Sequence, residues 1–241
     1  MKKVTIITVV YNASDLLLKT IRSVSSQSYQ NIQYIVVDGG STDGTLDIIK
    51  NNISSIDVLI SEKDSGIYDA MNKGIAASTG EYINFLNAGD WHQENFLEEI
   101  FLKNYKEDIK YYHSNMQLMH DQKIIGTAKP VIGNRYKTHM ANPLLHPTLI
   151  VSKDMFSELG LFDLRYKIAS DHEWTYKLVD KYSGFYTNKA LTNFLIGGVS
   201  AGNEALYESK NILKKNGVNV IFLNILFLNN LIKKIIKRFA S

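Results

Sequence analysis

The sequence predicts an α/β fold built on a mostly parallel sheet, and three observations carry that expectation. Apolar runs rich in β-branched residues recur at Val4–Val10, Gln33–Val37, Asp57–Ile60 and Tyr82–Leu86. Stretches with apolar residues at helical spacing separate them. Two of the runs end in acid-bearing loops, Asp38-Gly39-Gly40-Ser41-Thr42-Asp43-Gly44-Thr45 and Asn87-Ala88-Gly89-Asp90. Strands alternating with helices across short loops run parallel, joined by right-handed crossovers. Carboxylates just past the ends of such strands share one crevice, the place where open α/β sheets bind nucleotides. Two acids there suit a base or ribose at one point and a divalent cation on a diphosphate at the other.

Each element follows from its residues. Val4–Val10 is continuously apolar or β-branched, as expected of a strand buried on both faces. Leu17, Ile21 and Val24 then mark one face of a helix. After the second strand, Ser41 or Thr42 is placed to cap a short helix carrying Leu46, Ile49 and Ile53. Ile67, Met71 and Ile75 define the next helix, which ends near Ser78-Thr79-Gly80. The second half is less regular. Phe96, Leu97, Ile100 and Phe101 predict a helix. Ile109–His113, Met116–Met119 and Lys123–Thr127 read as separate strands, with a turn near Asp121-Gln122. Leu149-Ile150-Val151 predicts a strand, then a short helix with Met155, Phe156 and Leu159. Asp171–Lys181 carries Trp174 and Leu178 on one helical face.

Composition sets the bounds. The 241 residues suffice for one large domain or a domain with an appendage. A formal charge of +3 does not favour nucleic acid as a partner. The chain has no cysteine, so disulfides and thiolate metal sites are excluded. No long apolar segment or cleavage site of a signal peptide follows Met1, and no apolar run reaches spanning length. His92, His113, His120, His139 and His172 show no metal spacing, so no zinc site is expected. From Val218 to Phe239 the chain turns to Leu, Ile, Phe and Asn, followed by Lys233, Lys234, Lys237 and Arg238. Ile225, Leu228, Ile232, Ile235, Ile236 and Phe239 share one helical face. Such a helix lies in a membrane interface with its lysines on anionic head groups, or packs on the domain or on a second subunit as a homodimer contact.

The motif series resembles a family 2 glycosyltransferase of the GT-A fold, over roughly residues 3 to 200. The segments are Thr8-Val9-Val10-Tyr11-Asn12, Val37 to Thr45, Asn72-Lys73-Gly74-Ile75, Gly80-Glu81-Tyr82-Ile83 and Phe85-Leu86-Asn87-Ala88-Gly89-Asp90. The stretch from Glu62 to Gly74, Glu-Lys-Asp-Ser-Gly-Ile-Tyr-Asp-Ala-Met-Asn-Lys-Gly, resembles the branch that builds bacterial O-antigen, capsular and colanic-acid polysaccharides.

The resemblance implies roles. Thr8, Tyr11 and Asp38 would line the nucleotide pocket, with Asp64 on the same rim; Tyr11 can stack on a uracil, and a carboxylate can accept the base N–H. The family often has a second Asp where this chain has Gly39, and Arg where it has Met71. Its metal motif, usually Asp-Ala-Asp-Asp, reads Asn87-Ala88-Gly89-Asp90 here. Asp90 would hold Mn²⁺ or Mg²⁺ with help from the neutral oxygen of Asn87; the alternative is that basic groups neutralise the diphosphate. Asp171, in Ser170-Asp171-His172-Glu173-Trp174, would be the base that takes the acceptor proton during inverting, in-line attack. His146 would stand near the acceptor or diphosphate, and Gly198 and Ser200 would belong to a loop over the donor.

Residues 1–202 are thus expected to form a GT-A-like domain, with a nucleotide-binding half over 1–90 and an acceptor-binding half over 91–202. Residues 203–241 form a helical, basic and apolar tail. The implied activity is inverting transfer of a hexosyl or N-acetylhexosaminyl group. The donor is a nucleotide-sugar, a UDP-sugar by resemblance, and the acceptor a lipid-linked oligosaccharide. The implied location is the cytoplasm, peripheral to the inner face of the plasma membrane. Two rivals stand beside this reading. One is a non-catalytic partner subunit with the same fold, suggested by the thinned metal motif. The other is a nucleotidyltransferase, which would need a Gly-rich, basic loop after the first strand where this chain has Val10-Tyr11-Asn12-Ala13-Ser14.

Overall fold

The computed structural model describes residues 1–131, 142–197 and 203–228. Strands β1 (Val4–Val10), β2 (Ile32–Asp38), β3 (Val58–Ser61) and β4 (Tyr82–Phe85) alternate with helices α1 (Ser14–Ser25), α2 (Thr45–Asn51) and α3 (Ile67–Ala77). β1 pairs in parallel with β2 and β4, and β2 with β3. The period-two geometry of a strand divides β1 between two cores. Val4, Ile6 and Val10 pack with Leu17, Ile21 and Val24 of α1 on one face; Ile7 and Val9 pack with Met71 and Ile75 of α3 on the other. Each such side chain contributes roughly 1.5–3 kcal/mol on full burial, so the two faces fix the register of the central strand.

Beyond β4 the chain runs through β5 (Trp91–His92), α4 (Phe96–Phe101), β6 (Tyr111–His120), β7 (Lys123–Ala128), β8 (Ile150–Ser152), α5 (Asp154–Leu159), α6 (Ser170–Lys181), β9 (Phe185–Leu195) and α7 (Asn203–Lys215). Among the described residues the sheet order is β3-β2-β1-β4-β8-β6-β9-β5, with β7 on β6. β8 is antiparallel to β4 and β6, while β6 and β9 run parallel. The sheet is therefore parallel through β1–β4 and mixed beyond.

Four sequence expectations need correction. The two strands expected at 109–113 and 116–119 are one strand, β6: its polar pair is buried and satisfied inside the sheet, Ser114 Oγ donating to the Asn115 carbonyl and Asn115 Nδ2 to the Asn188 carbonyl. β9 was not expected, because its buried positions include Thr187, Thr192 and Asn193 rather than a run of aliphatics. Ile53 is half exposed and lies past α2, in a tight turn over Ile53–Ser55. Neither Ser41 nor Thr42 caps α2; the Asp43 carboxylate accepts the Thr45 N–H at 3.0 Å.

Candidate active site

The cleft opens where the parallel strands end. A cavity of about 460 Å³ is lined by Tyr11, Asp64, Tyr68, Met71, Asn87, Asp90, His146, Lys167, Ile168 and Asp171, among others. So the loops after β1, β3 and β4 meet the start of α6 across one space.

The rim after β1 is laced to the loop after β2. Asn12 holds φ +47 and donates its N–H to Ser41 Oγ, while its side-chain oxygen accepts the Thr42 N–H. Tyr11 is thereby left outward, 63% exposed, with its ring free to stack. Asp43 supports the same lacing; its carboxyl is lowered to about 2, first by the Thr45 hydroxyl. Asp38 and Thr8 do not line the cavity. Asp38 is fully buried and accepts N–H groups from Gly40 and Ser41 and the Ser61 hydroxyl. Thr8 is fully buried and accepts the Tyr34 hydroxyl at 3.0 Å. Asp38 braces the loop after β2 from behind and Thr8 lies inside the sheet, so neither is among the residues that line this cavity.

Asp64 lies beside Gly39. A Cβ at position 39 would stand 2.5 Å from Asp64 Oδ2. A side chain at position 39 would require the Asp64 carboxylate to move aside, and Asp64 brings its own acid to that spot from the loop after β3.

After β4, the turn Asn87–Asp90 closes with the Asp90 N–H on the Asn87 carbonyl, and Gly89 supplies φ +100. Asp90 is 5% exposed and accepts the Leu195 N–H at 3.0 Å. Burial pushes its carboxyl up to about 7, against the pull of that N–H. The side-chain oxygen of Asn87 is buried with no hydrogen-bond partner. No group of three His, Cys, Asp or Glu side chains fit for a metal occurs among the described residues. One carboxylate and one orphaned amide oxygen are a sparse donor set, but they fit a cation that takes its remaining ligands from phosphates and water.

From a different element, Asp171 reaches the same cavity out of the first turn of α6. Its Oδ1 accepts the Tyr68 hydroxyl at 2.7 Å and its Oδ2 accepts Asn142 Nδ2 at 2.9 Å. The Tyr68 hydroxyl has a second acceptor, the Ile168 carbonyl at 2.6 Å. Burial, then the nearby Asp171, pushes the phenol well above its usual range, so Tyr68 remains a donor. His146 stacks on Phe85 at 5.4 Å, and its Nδ1 lies 3.9 Å from Asp171 Oδ2. Neither of its ring nitrogens has a hydrogen-bond partner, and burial lowers its pKa, which keeps the ring neutral. Tyr68 and Asn142 were missed at the sequence level: nothing in their spacing marks them as partners of position 171. Gly198 and Ser200 lie outside the described residues.

Strand-end acids thus gather around one cavity on a sheet that is parallel and then mixed, and the chain can be compared with known proteins on that footing. Residues 5–116 match the family model described as Glycosyl transferase family 2. It is 34% identical over 121 residues to the glycosyltransferase GlyA of Streptococcus pneumoniae serotype 4, a match covering 47% of this chain and 17% of that protein. The chain thus spans about a sixth of that relative's length. S. aureus TarS 1-349, solved with UDP, superposes with a TM-score of 0.71 at 16% identity, over 95% of this chain and 70% of that one. The mannosyltransferase PcManGT of Pyrobaculum calidifontis, solved with GDP-Man and Mn²⁺, gives 0.69 at 17%, over 94% and 68%. The fold is of the GT-A type.

Proposed function

We propose that this chain is an inverting glycosyltransferase that moves a sugar from a nucleotide-sugar to a hydroxyl of a lipid-linked oligosaccharide in bacterial surface-polysaccharide assembly. One observation carries the reading: Asp90 and Asp171 line a single cavity together with Tyr11 and Asp64. In this reading the base stacks on Tyr11, and Asp64 accepts its N–H. Asp90, with the orphaned oxygen of Asn87, would hold a divalent cation, Mn²⁺ or Mg²⁺, that neutralises charge on the leaving diphosphate. Asp171 takes the acceptor proton as the acceptor oxygen attacks the anomeric carbon from the face opposite the diphosphate. A single displacement of that kind inverts the carbon. UDP is favoured over GDP by the resemblance described above, and the TarS complex with UDP supports it.

The test is a panel of UDP- and GDP-sugars, scored by thermal stabilisation with Mn²⁺ and by slow release of the nucleotide. A UDP-sugar that stabilises and is cleaved is the expected result. Stabilisation by none would overturn the reading and favour the partner-subunit rival.

The acceptor reading draws on the tail. Residues 220–228 are helical, with Leu223 buried against Tyr176 and Leu213. Ile221, Phe222, Ile225 and Leu228 are exposed, and Lys233, Lys234, Lys237 and Arg238 follow in sequence. An apolar face followed by cations suits an anionic membrane surface, where lipid-linked acceptors reside. No described helix is long and apolar enough to cross a membrane. Co-sedimentation with anionic but not neutral vesicles is expected; equal binding to neither would count against this location.

A further inference from the structure

We infer that helix α7 is a working part of the catalytic site and that Glu208 is a positioning residue for Asp171. The inference rests on the reading of Asp171 as the base.

Helix α6, which carries Asp171, begins without a cap of its own. Its N-cap residue is Ala169, and no side-chain cap bond forms within the segment. The exposed N–H groups at a helix start need partners. What braces this helix start is the loop leading into it, and the group that holds that loop comes from far along the chain. The Glu208 carboxylate accepts the N–H groups of Lys167, Ile168 and Ala169 at 2.8, 3.0 and 2.8 Å. Three N–H groups converging on one carboxylate fix the backbone of that loop, and the positive end of α6 favours the anion.

The loop so fixed is the one that matters to the base. Lys167 and Ile168 line the cavity. The Ile168 carbonyl accepts the same Tyr68 hydroxyl that reaches Asp171 Oδ1. Glu208 therefore sets the position of the Ile168 carbonyl, that carbonyl competes for the Tyr68 proton, and the Tyr68 proton orients the base. Two further contacts hold α6 to α7 behind the site: Ser209 Oγ lies 3.1 Å from His172 Nδ1, and Lys215 Nζ lies 3.6 Å from Glu173. His172 and Glu173 directly follow Asp171 in sequence. Glu208 does not line the cavity, so its effect must pass through the loop.

The experiment uses the full-length chain and the donor selected by the nucleotide-sugar panel. Glu208→Gln keeps the size but replaces one acceptor oxygen with a donor. Its kcat is expected to fall at least tenfold, with donor KM and UDP affinity within twofold of wild type. In an Asp171→Asn background the same substitution should add no further loss, because the path it acts through is already broken. Glu208→Asp, which keeps the charge on a shorter arm, should recover part of the rate, and carries the same test should the Gln variant fold poorly. A folded Glu208→Gln variant with wild-type kcat, or losses that multiply in the double variant, would overturn the inference. Wild-type turnover by Asp171→Asn alone would instead overturn the assignment of the base, a separate failure.

Discussion

The two walls of the cleft are built differently. On the proposed donor side, Tyr11, Asp64, Asn87 and Asp90 sit one to five residues past the ends of β1, β3 and β4, so the buried strands place them directly. On the acceptor side, Asp171 and His146 come from a helix start and a tight turn, and side chains remote in sequence fix them. Tyr68 and Asn142 reach Asp171 from 103 and 29 residues away. Strand ends and short-range side-chain-to-backbone bonds hold the first wall, while side chains from distant elements converge on the carboxylate of the second. The second should therefore be more sensitive to single polar substitutions.

The largest effect is expected at the base. Asp171→Asn should lower turnover by about 10²–10⁴, the range of a lost general base, with UDP affinity near wild type. Unchanged turnover would remove the acceptor wall from the chemistry. Next, Tyr68→Phe removes only the hydroxyl. It should cost on the order of tenfold in kcat, since a hydrogen bond to a charged group contributes about 1.5–3 kcal/mol. A loss confined to KM would show that Tyr68 serves binding instead.

On the donor wall the sharper test is pH. Asp90 is held near pKa 7 by burial, so a cation must displace its proton. Mn²⁺-dependent UDP affinity should rise as pH climbs toward 7 and then level. In Asp90→Asn that dependence should vanish. The same shift has a stability sign. The raised pKa means the folded state keeps a proton that the unfolded chain loses above pH 3.8. This penalty grows from about pH 4 to 7, so Asp90→Asn should melt several degrees higher than wild type at pH 7.5 and equally at pH 4. Equal melting at both values would mean the carboxyl is not desolvated.

The smallest effect concerns the sheet behind both walls. His92 is buried between Asn84 and Thr192, its pKa lowered to about 3 by burial, and His113 is lowered to about 4 for the same reason. Both are neutral when folded, and their unfolded counterparts take up protons below about 6.5. Stability should therefore fall as pH drops from 6.5 toward 4. His92→Asn should flatten that acid slope in a thermal melt series while lowering stability at neutral pH.

The same contrast explains what the sequence disclosed. Strands β1–β4 and their helices were legible because aliphatic periodicity is a local signal, and the acids at the strand ends came with them. β9 was not legible because polar residues fill its buried face, and β6 was read as two strands for the same reason at Ser114-Asn115. Asp38 and Thr8 carry the right chemistry at the right spacing, yet their polar groups are consumed inside the loop and the sheet. Asp171 was legible as an acid opening a helix. The clamp around it was not, since Tyr68, Asn142 and Glu208 meet it only through the tertiary fold. Gly39 was legible as a departure, but the Asp64 carboxylate 2.5 Å from a would-be Cβ is visible only in three dimensions.

The most direct measurement is a crystal structure of the full chain with Mn²⁺ and the UDP-sugar the panel selects. The account predicts uracil on Tyr11, the metal between Asp90 and the diphosphate, and the anomeric carbon facing Asp171 with room for one hydroxyl between them. A nucleotide bound with its diphosphate away from Asp90, or with Asp171 walled off from the sugar, would contradict it.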